Sequence, residues 1–200
     1  MSRFLSAIIL IVLLGSCSGT GYGTPPRNLD DACAILDERP EYRRAFEATE
    51  RRWGVPVHVQ MATIYQESKF VSDARTPRRF ALGIIPVGRI STAYGYSQAL
   101  DGTWEDYQRD QRRWGARRHD VFDSADFIGW YMAGTRRELG IGLDDARNQY
   151  LAYHEGRAGY RRGNHRRKRW LLRVADDVAT RAANYRIQLQ GCRGGGGRFG

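Results

Sequence analysis

The stretch Met61-Ala-Thr-Ile-Tyr-Gln-Glu67-Ser-Lys-Phe70 constrains this chain more than any other. It is mostly apolar and reads as a helix that buries itself, yet one carboxylate, Glu67, stands near its C-terminal end. An ionised carboxylate is costly to bury, so Glu67 must be exposed, paired, or held protonated for use.

Helical signals flank that stretch on both sides. Asn28 suits the cap of a helix with Asp30 and Asp31 in its first turn, ending before Pro40. A second helix is predicted from Glu41 to Trp53, with Tyr42, Ala45, Phe46 and Thr49 on one side and Gly54 as its stop. Pro56 suits the first turn of a third, in which Val59, Ala62, Ile64 and Tyr65 face the core and Glu67 falls at or near the end. Periodicity then fades from Val71 to Ala93, where Pro77, Gly83, Pro86 and Gly88 interrupt any helix. Phe80 to Ile85 is expected to form a short strand or an apolar flap. A loop of this length is either a substrate-covering lid or a packed surface excursion.

Helices return at Thr103, with Trp104, Tyr107, Gln111 and Trp114 at helical spacing. Another is capped by Asp123 or Ser124, turns Phe127, Ile128, Tyr131 and Met132 inward and closes at Gly140. Two more are predicted, from Asp144 to Glu155 and from about Arg169 to Gln190. The expected fold is mainly α. It is a single compact helical domain over residues 28–190, with a long loop or short β flap after the helix that carries Glu67.

The ends of the chain read differently. Met1-Ser-Arg3 precedes an apolar run from Phe4 to Leu14, which has the length of a signal-peptide core and is too short to span a bilayer comfortably. Leu14-Gly15-Ser16-Cys17 resembles the bacterial lipobox, which would make residues 1–16 a leader and Cys17 the lipidated N-terminus of the mature protein. The alternative is an ordinary signal peptide with an incidental cysteine. Ser18 follows, as in lipoproteins sent on to the outer membrane. The expected location is therefore that of an exported bacterial lipoprotein, on the periplasmic face of the outer membrane if the cell is Gram-negative. Residues 17–27 read as a flexible tether and residues 191–200 as a Gly-rich disordered tail. An exported compartment is oxidising, so Cys33 and Cys192 are disulfide candidates, with two free thiols as the alternative.

The formal net charge of +10 favours anionic polymers or membrane surfaces, and export argues against nucleic acid as the partner. The basic run from Arg161 to Arg169 is a solvated face, or a contact for wall polymer or lipid headgroups. No serine-hydrolase elbow, phosphate loop or His-Glu-x-x-His occurs in the sequence. His58, His119, His154 and His165 stand at no metal spacing, so neither metal nor cofactor is expected. Trp104, Tyr107, Trp114, Trp130 and Tyr131 suit a sugar groove or, at helical spacing, the core.

Three segments combine in order: Glu67-Ser68-Lys69-Phe70, Tyr94-Gly95-Tyr96-Ser97-Gln98-Ala99-Leu100, and Ala152-Tyr153-His154-Glu155-Gly156. Over roughly residues 40 to 160 the chain resembles the soluble lytic transglycosylase family of the lysozyme-like α+β superfamily. That family carries Glu-Ser at a helix end, a Gly-Leu-Met-Gln-type segment and Ala-Tyr-Asn-Ala-Gly. Thr76-Pro77 is similar to its Ser-Pro. Here Ser97 replaces Met, His154 and Glu155 replace Asn and Ala, and the loop between Pro77 and Tyr94 is longer.

The resemblance implies peptidoglycan glycan strands as substrate, with the MurNAc-GlcNAc β-1,4 bond cleaved to a 1,6-anhydroMurNAc end. It implies Glu67 as the catalytic acid and then base, with Thr76, Tyr96, Ser97, Gln98, Tyr153 and His154 around the sugar. A monomer is expected. Partial burial beside Ile64 and Phe70 would keep Glu67 protonated near neutral pH, as the leaving oxygen requires. Ordinary glycosidases add a second carboxylate. Asp73, Asp101 and Glu155 are the candidates for one, and they keep a goose-type-lysozyme-like hydrolase open as an alternative. A non-catalytic peptidoglycan-binding lipoprotein is the other.

Overall fold

The computed structural model describes residues 24–81 and 85–193, with side chains described except at positions 78–87 and 193. Residues 1–23, with the expected leader, Cys17 and most of the tether, lie outside the described residues, as do 82–84 and the Gly-rich segment 194–200. The described residues form seven α-helices and one two-stranded ribbon, so the domain is mainly α.

Helix α1 (Ala32–Glu38) is capped by Asp31, which accepts from the backbone N–H groups of Cys33 and Ala34. Asn28 instead closes a local turn with the N–H of Asp30. Helix α2 (Pro40–Trp53) has proline in its first turn and ends on Gly54. Helix α3 (Val57–Ser68) begins one residue after Pro56, which serves as its N-cap. Strands β1 (Arg78–Ala81) and β2 (Ile85–Arg89) pair antiparallel, with an irregularity between Arg79 and Phe80. This ribbon occupies the stretch where helical periodicity failed.

Helix α4 (Asp101–Gln111) starts two residues before Thr103 and stops at Arg112, which is left-handed. Trp114 therefore falls outside it and is 69% exposed, in contrast to Trp104 and Tyr107, which are buried. Helix α5 (Val121–Leu139) is capped by Asp120, not by Asp123 or Ser124. Asp123 is taken by Arg113 at 2.7 Å and by the N–H of Arg117, while Ser124 donates to the Arg118 carbonyl. Helix α6 (Ala146–Arg161) is interrupted at Gly156, whose φ of 71° and ψ of 150° leave the helical region. A 3-10 turn (Asn164–Arg167) leads to α7 (Arg169–Arg193). Cys33 in α1 and Cys192 in the last turn of α7 are joined in a disulfide with Cα atoms 5.8 Å apart.

Helix α3 is the centre. It packs on α2, α5, α6 and α7, and Val59, Met61, Ala62 and Ile64 are buried. A helix apolar nearly all round has this consequence. Three of its polar side chains donate to carbonyls within the fold. Gln60 donates to the carbonyls of Phe46 and Val55, Thr63 to that of Val59, and Ser68 to that of Ile64. Glu67 instead faces a cleft.

Candidate active site

Glu67 sits in the last turn of α3, half-buried, just before Lys69 and Phe70, which both have positive φ. The sharp exit turns the chain away and leaves the carboxylate facing a cleft of about 450 Å³. Thr76, Gln98, Leu100, Tyr131, Tyr153 and His154 are among the residues that line this cleft with it.

The surroundings of Glu67 are poor in counter-charge. Crowding by neighbouring groups disfavours the ionised form, and this outweighs a hydrogen bond from Tyr150 and the charge of Lys69, which both favour it. The balance pushes its pKa up to about 7. A carboxyl group so placed carries a proton at neutral pH and can also lose it, which general acid–base chemistry demands. Tyr150 and Tyr153, three residues apart on α6, both stand within electrostatic reach of Glu67. Burial raises both phenols above their ordinary range, so they remain hydrogen-bond donors.

The segment from Gly95 to Gln98 is fixed by backbone geometry. Gly95 has φ of 77°, and a Cβ there would meet the Arg118 carbonyl oxygen at 2.0 Å, so no side chain fits. Gln98, itself at positive φ, donates to the carbonyls of Ala74 at 2.9 Å and Gly95 at 2.8 Å. Its side-chain oxygen accepts no bond among the described residues. Tyr153 donates to the Ser97 carbonyl at 2.7 Å, which ties α6 to this segment across the cleft. Thr76 donates to the Ser91 carbonyl at 2.9 Å, closing the base of the ribbon.

Two of the expected sugar contacts are elsewhere. Tyr96 is buried in the core, its hydroxyl 3.0 Å from that of Tyr42, and it does not line the cleft. The Ser97 side chain is fully buried too, so only its backbone serves the site, through Tyr153. The turn over residues 95–98 buries both of these neighbouring side chains, which a linear motif does not reveal. Tyr150 was not among the expected site residues; its position one helical turn before Tyr153 is the signal that marks it.

The candidates for a second carboxylate are each accounted for. Asp73 is exposed and does not line the cleft. Asp101 pairs with Arg118 at 2.7 Å. Glu155 does reach the cleft, but it is held by Lys168 at 2.6 Å and by His154 at 3.2 Å. Burial opposes its ionisation, and these two partners prevail and keep its pKa below the usual range.

The family model of the transglycosylase SLT domain matches residues 5–192. The chain belongs to that family. No curated protein matches it significantly. As an SLT domain it is of the lytic-transglycosylase type, which degrades peptidoglycan, and peptidoglycan is the substrate class that the domain implies. The helical architecture built around α3 is that of the lysozyme-like SLT fold.

Proposed function

We propose that this SLT domain cleaves the MurNAc-GlcNAc β-1,4 bond without water, with Glu67 as the only acid and base. The observation that carries the reading is a half-buried carboxyl group with a pKa near 7 and, among the described residues, no second uncommitted carboxylate in its cleft. Protonated Glu67 gives its proton to the glycosidic oxygen as the bond from that oxygen to the muramyl C1 breaks. The resulting carboxylate then takes the proton of the C6 hydroxyl, and that oxygen bonds to C1. A 1,6-anhydro ring closes and Glu67 is protonated again. The substrate's own N-acetyl oxygen can stabilise C1 in between, in the place a second carboxylate takes in ordinary glycosidases.

Around this centre Tyr150 hydrogen-bonds the carboxylate in its ionised half of the cycle. Tyr153, held by Ser97, presents its ring and hydroxyl at the reacting sugar. The free oxygen of Gln98 accepts from an N-acetyl N–H or a hydroxyl, and Thr76 and His154 border the groove. Hydrolysis through Glu155 would require the Lys168 pair to open. Glu67→Gln is expected to keep the fold and to lower release of soluble fragments from purified sacculi by about 10²–10⁴-fold. Undiminished release by that variant refutes the assignment.

We further propose that the domain is exported and anchored as a lipoprotein through Cys17, facing the periplasm from the outer membrane. The basic, then apolar, leader and the Gly-Ser-Cys17 sequence support this reading. A disulfide between Cys33 and Cys192 suits an oxidising compartment.

A further inference from the structure

A second cavity, of about 470 Å³, opens on the other side of α3, between its last two turns and the middle of α7. Its volume falls in the range of small-ligand sites. Tyr65 lines it, and two cations sandwich that one ring, the Lys69 ammonium 3.7 Å and the Arg181 guanidinium 3.4 Å from the centroid on opposite faces. Two like charges on one aromatic ring repel each other, and the ring's quadrupole offsets this only in part. Arg181 has Asp30 as a partner at 2.9 Å through one nitrogen. Lys69 has no ion pair among the described residues.

Asp177 stands one helical turn before Arg181 on α7 and also lines the cavity. It too has no ion pair or hydrogen bond among the described residues, and neither do the amides of Gln66 and Asn184 on the same walls. Asp177, Arg181 and Asn184 follow at helical spacings of four and three on α7, facing Gln66 in the last turn of α3 and Lys69 at its left-handed C-cap. Uncommitted polar groups of both signs thus converge on one concave space. A simple anion would face Asp177 and Asp30, and a simple cation would face Lys69 and Arg181. A ligand that carries both charges a few bonds apart meets both.

We propose that this cavity is a second binding site, which takes a zwitterionic group, an ammonium and a carboxylate a few bonds apart. The carboxylate takes Lys69, the ammonium takes Asp177, and a small side chain lies toward Val178. Gln66 in the last turn of α3 and Lys69 at its C-cap stand on either side of Glu67 in the chain, so the site touches the catalytic helix without sharing its cleft. Resting on the peptidoglycan reading above, a side chain bearing both charges in the peptide of the glycan strand is one source of such a group; a free amino acid or short peptide is the other.

The test uses the full chain and dialanine as probe, followed by calorimetry, with N-acetylated and C-amidated dialanine as controls. Dialanine is expected to bind wild type, and about tenfold more weakly to Lys69→Met or Asp177→Asn, the loss expected for one charged contact. Blocking either end of the probe should have the same effect as removing its protein partner. No binding by wild type, or equal binding by all three proteins, overturns the site. Glu67→Gln should bind dialanine as wild type does, so this result stands or falls separately from the catalytic assignment. Loss by Asp177→Asn of a preference for peptide-bearing over peptide-stripped strands supports the strand's own peptide as the source. An unchanged preference, with dialanine binding still lost, supports a free peptide.

Discussion

Asp126 and Glu67 both stand among buried side chains of central helices, and their partners differ. Asp126, on α5, receives Arg52 through both carboxylate oxygens at 3.0 and 2.9 Å, and Arg113 at 2.8 Å. The indole of Trp53 at 2.8 Å and the hydroxyl of Tyr107 at 2.7 Å complete its shell. Every lone pair is used, and α2, α4, α5 and the segment after α4 are pinned at one point. Glu67 has one phenol and a cation at a distance. The same functional group is thus structural where its charge is compensated and chemically available where it is not. Burial alone distinguishes neither; the count of donors does.

The largest expected effect strikes the structural member of the pair. Asp126→Ala leaves two arginines, a phenol and an indole without their acceptor and is expected to cost about 3–5 kcal/mol in chemical denaturation. Activity per folded molecule should stay near that of wild type. A variant of full stability would show that the hub is ornamental.

Removing the other carboxylate should do the reverse. The folded pKa of Glu67 lies above its unfolded value. Between about 4.5 and about 7 the native state therefore keeps a proton that the unfolded state has lost. The group is a liability that grows as pH rises through that window and is absent below it. Glu67→Gln is expected to be more stable than wild type at pH 8, by on the order of 1–3 kcal/mol, and equal to it at pH 4. Thermal melts of the two proteins across that range check the sign; a gap that widens toward acid pH would reverse the account.

A smaller effect is expected at Tyr150. Its hydroxyl favours the ionised carboxylate, so Tyr150→Phe should move the Glu67 limb of the pH–rate profile upward by up to about one unit. The change in turnover at neutral pH should stay within about tenfold. A downward movement of that limb would mean that the phenol does not serve the charged form.

These two carboxylates also show what a linear reading can and cannot reach. Glu67 was legible because an acid on an apolar helix is conspicuous, and because Gln98 and Tyr153 stand in segments whose order carries a resemblance. The helices were legible where proline and glycine punctuate a clear period, as at Pro40, Gly54 and Gly140. Asp126 was not legible, since its four partners come from three separate stretches of chain and none has a local signature. Tyr96 was placed at the sugar because it stands in the Tyr94–Leu100 segment that carries the resemblance. Its burial depends on Tyr42, 54 residues earlier. Trp114 kept the helical spacing of Trp104 and Tyr107, but Arg112 takes a left-handed conformation and ends α4 before it. Helix caps failed for a related reason. Asp120, Asp123 and Ser124 are equivalent in sequence, and Arg113 removes Asp123 from the choice.

The central claim is that Glu67 works alone and that no water enters the reaction. Mass spectrometry of the fragments released from purified, peptide-bearing sacculi tests this most directly. The account predicts 1,6-anhydromuramyl ends throughout, present with wild type and absent with Glu67→Gln. Reducing muramyl ends released by wild type would contradict it and would assign a water-activating role to a second group.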